Sequence, residues 1–108
     1  MKTVAVFGGT FDPPTLAHQR IALHILDKQL ADYVLVCPTY KNRDGKQTMF
    51  SFNDRLAMCY ANFSWQDERI RVSDVEEKVY DIYEQGKGST YNLINFLKEN
   101  QGIPLLTL

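Results

Sequence analysis

The sequence predicts an α/β fold, an open parallel sheet with flanking helices. Three observations carry that expectation. Two β-rich runs, Lys2–Phe7 and Tyr33–Cys37, bracket a segment of about fifteen residues with helical period, the arrangement of a right-handed βαβ unit. The composition is globular, because 44% of residues are apolar and Leu, Ile, Val and Phe together make up 30 of 108, above the level at which chains stay disordered. Finally, 108 residues suit one compact core that needs neither a disulfide nor a metal, so a single domain over 1–108 is expected.

The elements follow in order. Lys2-Thr-Val-Ala-Val-Phe7 reads as a strand buried on both faces that stops at a tight turn on Gly8-Gly9. From Leu16 the period changes, and His18, Ile21, Ala22, Ile25, Leu26 and Leu30 mark the apolar stripe of a first helix. Tyr33–Cys37 before Pro38 is the second strand, and residues 39–50, without period and holding Lys41, Arg43 and Lys46, form a loop at its carboxyl end. Ser51-x-x-Asp54 resembles a capping box for a second helix carrying Phe52, Leu56, Cys59, Tyr60 and Phe63, with Asp54 and Arg55 expected to order that helix. Ile70–Ser73 is a third strand, and the mixed segment Val75–Lys87 has no assignment. Ser89 or Thr90 caps a last helix with Leu93, Ile94, Phe96 and Leu97 on its apolar face, before a strand at Pro104–Leu108. Trp65 is expected to pack rather than to stack on a ligand.

Charge and sulfur narrow the function classes. Twelve Lys and Arg against thirteen Asp and Glu give a net charge of −1, which disfavours a nucleic-acid binder. The apolar runs reach four to five residues, so neither a membrane span nor a signal peptide is expected. Cys37 and Cys59 lie in apolar stretches outside any Cys-x-x-Cys pattern and read as buried reduced thiols, which suits the cytoplasm.

The chemistry concentrates in Gly8–His18, between the first strand and the first helix, where open parallel sheets bind ligands. Adjacent glycines let backbone N–H groups approach a phosphate, and the helix N-terminus adds orphan donors and partial positive charge. A plain β-to-α turn also satisfies Gly-Gly and Pro-Pro. His18 in the first helical turn points at the strand edge, or else is a satisfied core histidine. Other phosphate signatures fail on spacing: Gly86-Lys87 has Asp81 where a Walker loop needs Gly, and no Gly-x-Gly-x-x-Gly is present.

Gly9-Thr10-Phe11-Asp12-Pro13 followed by Thr15-x-Ala17-His18 resembles the signature of the nucleotidyltransferase (cytidylyltransferase-like) superfamily, Gly-x-Phe-Asp-Pro and then His/Thr-x-Gly-His. Thr15 stands for the first His, as in the phosphopantetheine adenylyltransferase branch, and Ala17 for Gly. Phe7–Thr15, Gly45-Lys46, Phe52-x-x-Arg55-Leu56-x-Met58 and Ser89-Thr90-Tyr91 are most similar to nicotinate or nicotinamide mononucleotide adenylyltransferases. The resemblance implies a Rossmann-like fold and transfer of AMP from ATP, with Mg²⁺, to a pyridine mononucleotide, releasing pyrophosphate. It implies catalytic roles for His18, Thr15 and Lys46, phosphate or nucleotide contacts from Gly8, Gly9, Thr10, Phe11 and Lys41, pyridine-side contacts from Thr90 and Tyr91, and no protein-bound metal. Read alone, the loop bases are solvated charges and Thr90-Tyr91 is a helix cap.

Two alternatives stay open: a relative acting on phosphopantetheine or using CTP, and a non-catalytic nucleotide-binding remnant. The resemblance corresponds to the amino-terminal part of such an enzyme, and the family's later Ile-Ser-Ser-Thr-x-x-Arg segment is absent, so the chain is expected to be truncated. An open edge at Pro104–Leu108 would then be covered by further sequence or by a partner chain, a homo-oligomer among the options.

Overall fold

Val4–Phe7 are four consecutive apolar residues, and all four are buried, so the strand they form must be covered on both faces. The computed structural model describes residues 3–40, 47–82 and 105–107. The chain runs β1 (Val4–Gly9), α1 (Leu16–Asp27), β2 (Tyr33–Pro38), α2 (Phe52–Phe63), β3 (Ile70–Val72), α3 (Val75–Ile82) and β4 (Leu105–Thr107). Among the described residues the strand pairs are parallel, as the βαβ pattern predicts, and the strand order is β3-β2-β1-β4. β4 pairs with β1 and forms one edge of this sheet. The expected last helix from Ser89 or Thr90 lies outside the described residues.

Strand period two puts Ala5, Phe7, Val34 and Val36 on one face. They join Ala22, Ile25 and Leu26 of α1 and Cys59 and Phe63 of α2 in one buried cluster. The Gln19 amide of α1 donates to both the carbonyl and the side-chain oxygen of Asn62 in α2, which holds the two helices side by side over that face. Val4, Val6 and Cys37 point to the other face, where Glu76 of α3 lies near enough to the Cys37 thiol to help raise its pKa. Both cysteines are buried and free, as expected. Burial pushes Cys59 up to about 12 and Cys37 higher still.

Several expectations need correction. Gly8 and Gly9 belong to β1, opposite Cys37 and Pro38, because the parallel ladder runs through them; the turn begins at Thr10. Ile21 is 45% exposed and Leu30 54% exposed, so the apolar stripe is narrower than its spacing implies. For Leu30 the cause is the helix end. Gln29 has φ 57°, the Gln29 N–H reaches the Leu26 carbonyl and the Leu30 N–H the Ile25 carbonyl, a Schellman closure that turns Leu30 off the helix. Glycine takes that left-handed position without the Cβ penalty. Gln29→Gly is therefore expected to stabilise the chain by about 1 kcal/mol, read as a higher urea midpoint with unchanged slope.

Ser51 caps α2 as expected, its hydroxyl accepting the Asp54 N–H at 3.1 Å. Trp65 does not pack: it lies just past α2 and is 73% exposed. α3 occupies the start of the segment without an assignment; the Ser73 hydroxyl accepts the Val75 N–H and Val75 is buried. Among the described residues, no helix is long and apolar enough to cross a membrane.

Candidate functional site

β1 and β2 end together, Gly9 beside Pro38, and residues 10–15 turn from that carboxyl edge into α1. Thr39 extends the pairing by one residue, donating its N–H (2.9 Å) and its hydroxyl (3.2 Å) to the Gly9 carbonyl. Such an edge is where loops from neighbouring strands can converge on one ligand.

Phe11 shapes the loop. Its φ of 51° is a left-handed conformation that costs a residue with a Cβ about 1–2 kcal/mol. Its buried ring offsets that cost, edge-on to His18, Phe7 and Phe63 with centroids 4.8, 5.3 and 6.0 Å away. Any contact Phe11 makes to a ligand would therefore come from its backbone. Gly9 serves this packing, since a Cβ there would sit 3.3 Å from the Phe11 ring. Gly8 does not: a Cβ there would meet nothing within 4 Å among the described residues, which leave open space where the phosphate reading puts a ligand. Gly9→Ala should lower stability by about 1 kcal/mol through overpacking. Gly8→Ala should leave the melting curve in place and weaken nucleotide binding in calorimetry; unchanged binding would mean that nothing approaches Gly8.

His18 is the third residue of α1 and is half-buried. Its Nδ1 accepts the Thr15 backbone N–H at 2.9 Å, with the Thr15 hydroxyl 3.2 Å away. The histidine thereby fills the place that Glu or Gln takes in a capping box. With Nδ1 as acceptor, the proton of the neutral ring sits on Nε2, and burial lowers the pKa and favours that neutral form. The result is one neutral N–H donor on a ring fixed by a backbone bond and by two aromatic neighbours, Phe11 and Phe7.

Two residues matter more here than their sequence context indicates. The Asp12 carboxylate accepts the N–H of Met49 (2.6 Å) and of Phe50 (2.8 Å), tying the segment before α2 to the β1–α1 loop. Arg55, expected to order α2, is 1% exposed and turned inward. It donates to the carbonyls of Phe50 (3.1 Å), Thr10 (2.9 Å), Thr39 (2.7 Å) and Tyr40 (3.3 Å). Carbonyl partners have no residue signature, so helical spacing does not disclose them.

The structure thus brings Gly8, Gly9, Thr10, Thr15 and His18 to one edge. Lys41, Arg43, Lys46, Thr90 and Tyr91 lie outside the described residues. Among the described residues no three His, Cys, Asp or Glu side chains converge as metal ligands.

The profile of the family described as Cytidylyltransferase-like matches residues 6–101. A probable nicotinate-nucleotide adenylyltransferase of Shouchella clausii is 37% identical over 103 residues, covering 92% of this chain and 49% of the relative. One from Aliarcobacter butzleri is 28% identical over 96 residues, covering 89% and 50%. The nicotinic acid mononucleotide adenylyltransferase of Plasmodium falciparum, solved complexed with NaAD, has the same fold, with a TM-score of 0.76 at 21% identity over 99% of this chain and 51% of that one. The chain spans about half the length of the curated relatives it matches.

Proposed function

Since the chain belongs to the Cytidylyltransferase-like family, we propose that it serves transfer of AMP from ATP to nicotinate or nicotinamide mononucleotide, a step of NAD biosynthesis. In that reaction a 5′-phosphate oxygen of the mononucleotide bonds to the α-phosphorus of ATP, the bond from that phosphorus to the bridging oxygen breaks, and pyrophosphate leaves. The attacking phosphate is already an anion, so no general base is needed, and catalysis rests on alignment and on stabilising charge. The observation that carries the reading is His18: its Nδ1 is engaged by the Thr15 N–H, which leaves Nε2–H as a neutral donor on a ring packed against Phe11 of the β1–α1 loop. Curated relatives named as nicotinate-nucleotide adenylyltransferases support the choice of acceptor.

In this reading the Gly8–Thr10 backbone and the Thr10 and Thr15 hydroxyls bind phosphate oxygens and His18 donates to the phosphates. Lys46, with Lys41, offsets their charge, and Thr90 and Tyr91 contact the pyridine nucleotide. Mg²⁺ enters with ATP as part of the substrate; both Asp12 oxygens are engaged by backbone N–H groups and are poor candidates to hold it. Buried free Cys37 and Cys59 accord with a reducing compartment such as the cytoplasm.

A pyrophosphate-release assay with calorimetry tests the reading on the 108-residue chain. Binding of MgATP, with pyrophosphate released only when a pyridine mononucleotide is present, is the expected result. Release only with phosphopantetheine would move the chain to the branch that Thr15 resembles, and binding without release would make it a nucleotide-binding remnant.

A further inference from the structure

Arg55 brings its charge into the fold and meets it with peptide dipoles. Its four carbonyl partners come from three separate segments: Thr10 after β1, Thr39 and Tyr40 after β2, and Phe50 before α2. All three segments lie at the carboxyl edge of the sheet. The nearby carboxylate, Asp12, uses its two oxygens on the Met49 and Phe50 N–H groups, so it ties the same segments from the other side. Burial lowers the pKa of the guanidinium and the Asp12 charge works against that shift.

The contact with Thr10 has a consequence for the loop. The Thr10 carbonyl and the Phe11 N–H belong to one planar peptide, so fixing the carbonyl fixes the direction of the N–H. The next φ is the unfavourable 51° of Phe11. A strained dihedral persists when its surroundings over-determine it, and here the buried ring holds one side while Arg55 holds the peptide before it. From that point the chain runs on to Thr15 and His18.

We infer that Arg55 is a positioning residue: by joining the carbonyls of Thr10, Thr39, Tyr40 and Phe50, it sets the path of the β1–α1 loop and the spacing of the segments that surround the substrate phosphates. The role of these segments toward phosphates rests on the proposed nucleotidyl transfer. In one rigid plane Nε reaches Phe50, Nη1 reaches both Thr10 and Thr39, and Nη2 reaches Tyr40, whereas a lysine presents its donors from a single nitrogen and cannot span the three segments.

Arg55→Lys and Arg55→Gln test the inference, with calorimetry of MgATP and amide hydrogen exchange on the ligand-free chain. At least one variant should melt cooperatively, bind MgATP tenfold or more weakly than the unaltered chain, and exchange the amides of Phe11, Met49 and Phe50 at least tenfold faster, with β1 and β2 core amides unchanged. A cooperatively folded variant with unaltered affinity and unaltered loop exchange would overturn the inference. Failure of both variants to melt cooperatively would also overturn it, because Arg55 would then be a residue of the fold as a whole. If the unaltered chain fails to bind MgATP, the nucleotidyl-transfer reading falls, and the exchange rates alone decide whether Arg55 sets the loop.

Discussion

Replacing His18 with alanine should lower nucleotidyl transfer by a factor on the order of 10² to 10³, the usual effect of deleting one preorganised donor to developing charge. The same change removes the acceptor of the Thr15 N–H and the ring edge against Phe11 and Phe7. A cap contributes about 1 kcal/mol and an aromatic contact about 0.5–1.5 kcal/mol, so the melting temperature should fall by several degrees. Alanine alone does not separate catalysis from packing.

Glutamine does. Thr-x-x-Gln is a capping box, in which the Gln carbonyl reaches back to the N-cap N–H. His18→Gln should therefore recover much of the stability lost in His18→Ala while leaving transfer low, because its amide oxygen engages Thr15 and no ring N–H faces the phosphates. Transfer near the unaltered rate in His18→Gln would show that His18 acts through the helix cap. The pH profile gives a second check. Burial lowers the His18 pKa, so the neutral donor persists through pH 7 and above. The stability that depends on the neutral ring is complete above the unfolded value of about 6.5. It declines as the pH falls from there through the lowered folded value.

β1 and β2 were legible as short unbroken β-rich apolar runs, and α1 and α2 because their apolar residues repeat at three to four positions, signals that survive without tertiary information; β3 was legible as the short β-rich run at Ile70. Gly8 and Gly9 were misread because glycine signals a turn locally, whereas the neighbouring β2 holds them in the ladder. α3 had a usable signature in the spacing of Val75, Val79 and Ile82 after Ser73, but four charged residues between them mask it. In the site, the glycines and His18 were legible as a motif. Arg55 was not, since its hydrogen-bond partners among the described residues lie from five to forty-five residues away and are main-chain carbonyls. The tautomer of His18 was equally hidden, because it depends on which atom of the ring meets the Thr15 N–H.

Glu76→Gln should stabilise the chain above pH 7 and have little effect at low pH. Glu76 lies in the first turn of α3 near Cys37, and its buried Oε1 has no hydrogen-bond partner among the described residues. Desolvation raises its carboxyl pKa from 4.5 to about 7. The folded chain therefore binds the Glu76 proton more tightly than the unfolded chain does, and between those two values folding takes up a proton. This contribution to stability is complete below about 4.5. It is lost as the pH rises through about 7, where the carboxylate must be charged in a poorly solvated place. At about 1.4 kcal/mol per pKa unit the full effect is about 3.5 kcal/mol, and partial access to water reduces it to about 1–2 kcal/mol. For a domain of this size that corresponds to about 5–10 °C in melting temperature. Thermal melts at pH 8 should show Glu76→Gln melting above the unaltered chain by about that amount, and melts at pH 4 should coincide. Exposed Glu68→Gln serves as the control and should shift neither curve. Equal shifts at both pH values would mean that the amide improves packing or hydrogen bonding, and that the Glu76 charge does not limit stability.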